Sequence, residues 1–330
     1  MEGVVSDAWQ GRTALVTGAT GLLGAASIRS LLHQSVRVVA LVRDHDPQSE
    51  LLRSGLVRRV TVVDGQLECL PDIERALAVD DVDSVFHLGA QTLVGPAFRD
   101  PVGTLEANVR GTWNLLGACR RQASMVQRVL VASSDKAYGD VATLPYTEDT
   151  PLRGQHPYDV SKSCADLIAQ AWHHTYGTPI VVARCGNIYG GGDLNWSRVI
   201  PGTIRSVHRG ERPVIRSDGT FLRDYVYVED AVDAYLRMAE SATEPDVAGQ
   251  ALNFGPGAPH TVLQVVEAVT AAMGRPDLQP QVQNTSNAEI RHQFFDASRA
   301  GTRLGWRPQW SLETGLVPTI AWYRRFLDEA

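Results

Sequence analysis

Nowhere in the 330 residues does an apolar run approach the roughly 18 residues that a membrane-crossing helix needs. The first residues, MEGVVSDAWQG, carry acids and no long apolar stretch. They do not read as a secretory signal, and a cytoplasmic location is expected. Cysteine is scarce. The four present, Cys69, Cys119, Cys164 and Cys185, have neither CxxC spacing nor a histidine ligand pattern nearby. They are expected as reduced, mostly buried thiols, with no zinc or other metal site. Basic charge is also in deficit: 31 Lys and Arg stand against 37 Asp and Glu, a net charge of −6. That balance offers no electrostatic footprint for nucleic acid. Internal repeats and low-complexity tracts are missing too.

What is present is an ordinary globular composition, 44% apolar and 21% charged. A chain of 330 residues is long for one compact unit, so a large domain with a smaller one is expected. Short apolar strands alternate with helical patterns through the first half. Strands are read at 12–17, 36–42, 57–63, 84–88, 128–133 and 180–184, and helices at 21–33, 72–78, 104–123 and 157–176. The alternation predicts an α/β fold: a Rossmann-type doubly wound parallel sheet with helices on both faces. Past Asn187 the pattern thins, and Gly190-Gly191-Gly192 marks a break. The expected division is a large domain over 1–186 and a smaller α/β lobe over 187–330, with some later segments returning to the large domain.

The stretch TGATGLLG, Thr17 to Gly24, lies between the first strand and the first helix. Gly18, Gly21 and Gly24 let the backbone turn tightly and approach a pyrophosphate, while the helix start offers free N–H groups. An ordinary glycine-rich turn is the bland alternative; the strand-before, helix-after context favours a dinucleotide. The second strand ends at Arg43-Asp44. An acid there suits the ribose hydroxyls of NAD and an arginine suits the 2′-phosphate of NADP, so NAD is expected and NADP stays open. After the third strand, Gln66 in DGQLEC offers an amide to an adenine.

YDVSK places Tyr158 and Lys162 four apart at the start of a helix opened by Pro157, hence on one face. A nearby ammonium lowers a phenol's pKa, and such a tyrosine can take a hydroxyl proton while hydride leaves the same carbon. SSDKAYG, Ser133 to Gly139, puts an acid directly before an amine at the end of an apolar strand. Adjacent buried charges are costly unless they meet a partner or a ligand. A strand-end salt bridge and a catalytic pair are both readings of it. The carboxyl end of a central strand is where open α/β sheets place ligands.

In combination these motifs resemble the extended short-chain dehydrogenase/reductase family (NAD-dependent epimerases and dehydratases), whose members act on nucleotide-linked sugars. The similarity covers nearly the whole chain. TGATGLLG matches the family's TGxxGxxG loop and YDVSK its YxxxK pair; FHLGA, Phe86 to Ala90, looks like the strand beside the nicotinamide; FLRDYVYVEDAVDAYL, from Phe221, matches the substrate-lobe motif. Ser134-Asp135-Lys136, PYDVSK, GNIYGGGD from Gly186, LGW from Leu304 and AQTLV from Ala90 resemble CDP-glucose 4,6-dehydratases most. Leu194 departs from that pattern, where a tryptophan is usual, and RDYVYVED is closer to epimerases and dTDP-glucose dehydratases.

The resemblance implies a set of site residues. Catalysis falls to Ser134, Asp135, Lys136, Tyr158 and Lys162. Cofactor contacts fall to Gly18, Thr20, Gly21, Leu22, Leu23, Arg43, Asp44, Gln66, Leu67, Leu88, Gly89 and Ala90, with Tyr158 and Lys162 again. Substrate contacts fall to Gln91, Ser134, Asn187, Arg198, Arg223 and Arg291. His87 reads as a packed strand histidine and Asn108 as a structural residue. The partner implied is a nucleotide-diphosphate sugar. The reaction implied is C4 oxidation, loss of water across C5 and C6, and hydride return. An NDP-sugar 4-epimerase is the alternative, a uronic-acid decarboxylase is third, and a silent dinucleotide-binding protein is the reading from another class. Helices 104–123 and 157–176 resemble the pair that forms a four-helix homodimer interface, with Trp113, Leu116, Ile168 and Trp172 as its apolar stripe. Burial against the chain's own sheet is the competing reading of that stripe.

Overall fold

A computed structural model describes residues 7–285 and 289–329. Its large sheet is built from β1 (Thr13–Thr17), β2 (Arg37–Val42), β3 (Thr61–Asp64), β4 (Ser84–His87), β5 (Arg128–Ser134) and β6 (Ile180–Cys185), all paired in parallel in the order β3-β2-β1-β4-β5-β6. Every residue of β1 is buried, as in a strand covered on both faces. Ala14, Val16, Val38 and Ala40 face one core, whereas Leu15, Val39 and Leu41 face the other. That alternation is the two-residue period of a strand. The sheet order reverses between β1 and β4, and ligands bind beyond the strands' carboxyl ends at such a point.

The helices between the strands are α1 (Leu22–His33), α2 (Glu50–Arg53), α3 (Leu70–Ala78), α4 (Val94–Arg99), α5 (Pro101–Leu105), α6 (Gly111–Arg121) and α7 (Pro157–Tyr176). Two segments differ from the sequence expectation. The strand read at 57–63 begins only at Thr61, because Leu56–Arg59 forms a 3-10 turn that packs Leu56 and Val57 onto the core. The helix read at 104–123 starts at Pro101, where Asp100 accepts a hydrogen bond from the Gly103 N–H, and carries a π-helical turn over Glu106–Arg110. That turn holds Asn108, whose side chain ties Gln91 to Ser161.

The later chain forms a set of small sheets. β7 (Asn187–Tyr189) pairs with β10 (Tyr225–Tyr227), and β8 (Val214–Ile215) pairs with β13 (Gln281–Val282). β9 (Leu222–Arg223) lies between β12 (His260–Thr261) and β14 (His292–Gln293). Around them stand α8 (Val199–His208), α9 (Val228–Glu240), α10 (Val262–Ala272), α11 (Ser298–Leu304) and α12 (Leu312–Asp328). β11 (Ala251–Phe254) returns to the large sheet beside β6, and α9 packs on β5 and β6. The triple glycine is a packing device. A Cβ on Gly190 would meet Val228 of α9 at 2.6 Å, and one on Gly191 would run into Trp322 of α12.

Candidate active site

The loop after β1 is shaped for an anion. Gly18 has φ +67°, and a Cβ there would sit 2.8 Å from the Gly89 backbone at the end of β4. A Cβ on Gly24 would collide with the Gly18 carbonyl oxygen. Gly21 caps α1 with no side-chain hydrogen bond, so the first-turn N–H groups keep no side-chain acceptor. Thr20, Leu22 and Leu23 are half-buried around this cradle. Such a donor set fits a diphosphate. Thr17 Oγ1 accepts from the N–H groups of Leu88 and Gly89 and lies 3.0 Å from His87 Nδ1, holding the β4 end against the loop.

His87 is buried. Its Nε2 lies 3.0 Å from Thr112 Oγ1, which itself donates to the Asn108 carbonyl. The Thr112 oxygen must therefore accept, which places the imidazole proton on Nε2. Burial pushes the ring pKa down to about 3, so the imidazole stays neutral in the fold. Leu67 packs where a Cβ on Gly89 or Gly111 would stand. Gln66 is exposed, with its backbone N–H donated to Asp72. Arg43 and Asp44 are both exposed and pair with each other at 2.7 Å.

The acid–amine pair lies one strand over. β5 ends at Ser134, and Asp135–Tyr138 turns as a 3-10 helix. Ser134 Oγ donates to Asp135 Oδ1 at 2.9 Å and accepts from the Lys136 N–H at 3.2 Å. The same hydroxyl lies close to the Tyr158 phenol and favours its ionised form against burial. Asp135 is buried. Lys136 Nζ donates to Gln293 Oε1 at 2.6 Å. Burial lowers the basicity of Lys136; Asp135 opposes this, and Arg223 adds to it. Beneath this segment Asp166 accepts two hydrogen bonds from Arg184, at 2.8 and 2.9 Å, and one from Ser133 at 2.6 Å. This buried pair keeps α7 in register with β5 and β6.

Tyr158 and Lys162 share the buried face of α7, as their spacing requires. The expected lowering of the phenol by Lys162 does not occur in the protein alone. Burial pushes Tyr158 up to about 12, against the opposing pull of Arg198 and the Ser134 hydroxyl. Burial also pushes Lys162 down to about 8, and its Nζ donates to the Ala132 carbonyl at 3.0 Å. Full desolvation outweighs the charge term that sequence spacing suggests.

The remaining candidates divide. Arg198 caps α8, pairs with Asp193 at 3.0 Å, and projects its charge onto Tyr158. Asn187 is exposed and donates to the Asp224 carbonyl through both its backbone and side-chain nitrogens. Arg223 is buried and donates to the carbonyls of Leu222, Ile290 and Arg291. The Arg291 side chain is 68% exposed, pairs with Asp218 and lies over the Phe221 ring, as does the Arg223 guanidinium. The Gln91 side chain folds back on the Leu93 backbone. Leu88, Gly89 and Ala90 are half-buried beyond β4.

Sequence reading passed over Gln293 and Asp224, both buried beside this segment. Gln293 sits in no motif, and Asp224 lies in the RDYVYVED run without being singled out by it; each gains its meaning from neighbours distant in the chain. One signal was available. Only two of the 31 basic residues are lysines, Lys136 and Lys162, and both lie here. In a chain that otherwise uses arginine, a lysine marks a place where an amine able to lose its proton is wanted.

Comparison with known proteins agrees with this geometry. The model of the NAD dependent epimerase/dehydratase family matches residues 14–255. A dTDP-glucose 4,6-dehydratase of Mycolicibacterium smegmatis is 31% identical over 323 residues, 94% of this chain and 92% of that protein. A CDP-glucose 4,6-dehydratase of Salmonella typhimurium is 28% identical over 336 residues, 97% of this chain and 92% of its own length. The structure of a UDP-glucose 4-epimerase of Thermotoga maritima, solved with UDP-glucose, superposes with a TM-score of 0.86 at 27% identity, covering 96% of this chain and 99% of that one. With its doubly wound sheet, its glycine cradle and its Ser-Tyr-Lys cluster, the chain belongs to the NAD dependent epimerase/dehydratase family.

Proposed function

We propose that the protein is a nucleotide-diphosphate hexose 4,6-dehydratase of the CDP-glucose type. The observation that carries this reading is the Asp135-Lys136 pair just past the end of β5, with Ser134 hydrogen-bonded to both members and close to the Tyr158 phenol. The Gly18–Gly24 cradle would hold NAD, which would supply a reversible hydride acceptor. Tyr158 takes the proton of the 4-hydroxyl, which Ser134 orients, as C4 is oxidised to a ketone. The ketone acidifies the C5 proton, and Lys136 removes it. Asp135 delivers a proton to the C6 hydroxyl, so that water leaves. Hydride returns to C6 and a proton to C5, giving a 4-keto-6-deoxy sugar. The lowered basicity of Lys136 is the direction a base needs near neutral pH.

Residues 1–186 supply the dinucleotide domain and 187–330 mainly the sugar-nucleotide lobe. Asn187, Arg198, Arg223 and Arg291 are the lobe's proposed contacts to the substrate, and Gln91 is the large domain's. Two copies associate through α5, α6 and α7. The stripe expected on those helices needs one correction: Leu116 is fully buried in the chain's own core, and Ile168 and Trp172 pack on it, so of that set Trp113 alone is exposed. Among the described residues no helix is long and apolar enough to cross a membrane.

The RDYVYVED run, and the likeness to a UDP-glucose 4-epimerase, support epimerisation as the second reading. Incubation with CDP-, dTDP-, UDP- and GDP-hexoses, followed by mass measurement, decides. Loss of one water is the expected result, whereas unchanged mass with altered stereochemistry means an epimerase. Lys136→Ala should cut water loss by about 10²-fold or more while sugar-nucleotide binding stays near wild type. Normal turnover by that variant would remove Lys136 from the mechanism.

A further inference from the structure

We propose that Gln293 is a positioning residue, which fixes the Lys136 amine beside the reacting carbon and holds it through both of its protonation states. The inference rests on Lys136 being a reacting group, as argued above. A lysine nitrogen sits on four rotatable bonds, whereas a base must be held within a few tenths of an ångström to work. Gln293 supplies that fixity. It lies on β14, in register with Arg223 of β9, and is fully buried. Its Oε1 is 2.6 Å from Lys136 Nζ.

The amide orientation follows from chemistry. Lysine offers only donors when charged, so the atom facing Nζ is the oxygen. Gln293 Nε2 then lies on the Tyr146 side, and among the described residues it has no partner within hydrogen-bond geometry. A buried N–H without an acceptor is unfavourable, so the contact with Lys136 is maintained at the expense of the other end of the amide.

A carboxylate at this position would bind ammonium far better than amine and would keep the proton on Lys136. A neutral amide oxygen accepts from either form, so the nitrogen stays in place as its proton leaves and returns. The charged and titratable groups around the pair are Asp135, Arg223, Asp159 and Glu289 on the lysine side and Tyr146 and Asp224 on the glutamine side.

The chain's two lysines make a direct test possible. Protein labelled with carbon-13 at lysine gives one signal each for Lys136 and Lys162, which Lys162→Arg assigns. Titrating wild type, Gln293→Glu and Gln293→Leu reads the Lys136 midpoint without any turnover. In Gln293→Glu the midpoint should rise by about one unit or more, a tenfold gain in proton affinity, while Lys162 stays put and reports an intact fold. The acid limb of the kcat profile should move up with it. In Gln293→Leu, kcat should fall about tenfold or more with KM within twofold, since only the reacting nitrogen is released. A Lys136 midpoint unmoved in Gln293→Glu, or wild-type kcat in Gln293→Leu, overturns the proposal. If the midpoint moves but wild type removes no water from any hexose, Gln293 still positions Lys136 and the dehydratase reading is what fails.

Discussion

Asp224 is buried, its Oδ2 accepts from the Phe295 N–H at 2.8 Å, and its Oδ1 has no partner among the described residues. Burial pushes its pKa up to about 7, with Asp135 adding to the shift. Between about pH 4 and pH 7 the folded chain therefore holds a proton that the unfolded chain has lost. Stability from this group is present at low pH and falls as pH rises through that window, by on the order of a few kcal/mol. Asp224→Asn mimics the protonated form. Its melting temperature, measured against pH, should fall less than that of wild type between pH 4 and pH 7. Parallel curves for the two proteins would mean that Asp224 ionises freely. Asp224 also shows the limit of reading residues singly. Ser134, Tyr158 and Lys162 were legible because their chemistry is written in one short motif each. Asp224 and Gln293 were not, since a buried carboxyl and a buried amide become unusual only through segments about 70 to 160 residues away. The same blindness produced the wrong direction for Tyr158: spacing shows the lysine, and only packing shows the desolvation.

At the scale of elements, local punctuation decided what could be read. The helix expected at 157–176 is found there, because Pro157 occupies its first turn and Gly177, at φ +66°, ends it in a left-handed cap. β3 was misjudged because apolar residues of a 3-10 turn and of a strand look alike in sequence when both face the core. The π-helical turn was invisible, since nothing in a helical period announces one inserted residue. The glycine loop was legible as a motif, yet its glycines are not equivalent. A Cβ at Gly24 would collide with the backbone of Gly18, whereas at Gly21 the nearest atom is 3.4 Å away. Gly24→Ala should therefore lower the melting temperature of the cofactor-free protein by about 3 degrees or more, the scale of about 2 kcal/mol in a chain of this length. Gly21→Ala should leave it within about a degree. Equal melting temperatures for the two variants would show that the loop tolerates bulk at either position.

The whole molecule presents a surface that its own core does not need. The alternation of strands and helices made the large sheet legible, because each βα unit is a local pattern. The individual strands past Asn187 were not legible, as two- and three-residue strands carry no period and are set by contacts between distant segments, such as β9 with β14. The packed helices α5, α6 and α7 nonetheless leave Val102 at 68%, Leu167 at 54%, Tyr176 at 48% and Trp113 at 42% exposed. Apolar side chains of this size on neighbouring helices favour burial against another surface. A second copy offers the same helices, and a two-fold axis lets one patch cover itself. The protein should then sediment at twice its 36.0 kDa chain mass. Leu167→Glu places a charge at the centre of α7's exposed face, where pairing across a two-fold would oppose two like charges without solvent. That variant should sediment as a single chain, while its melting profile stays cooperative because Leu167 contributes little to the monomer's core. A wild-type protein that sediments at 36.0 kDa across micromolar concentrations would leave this face without the proposed partner.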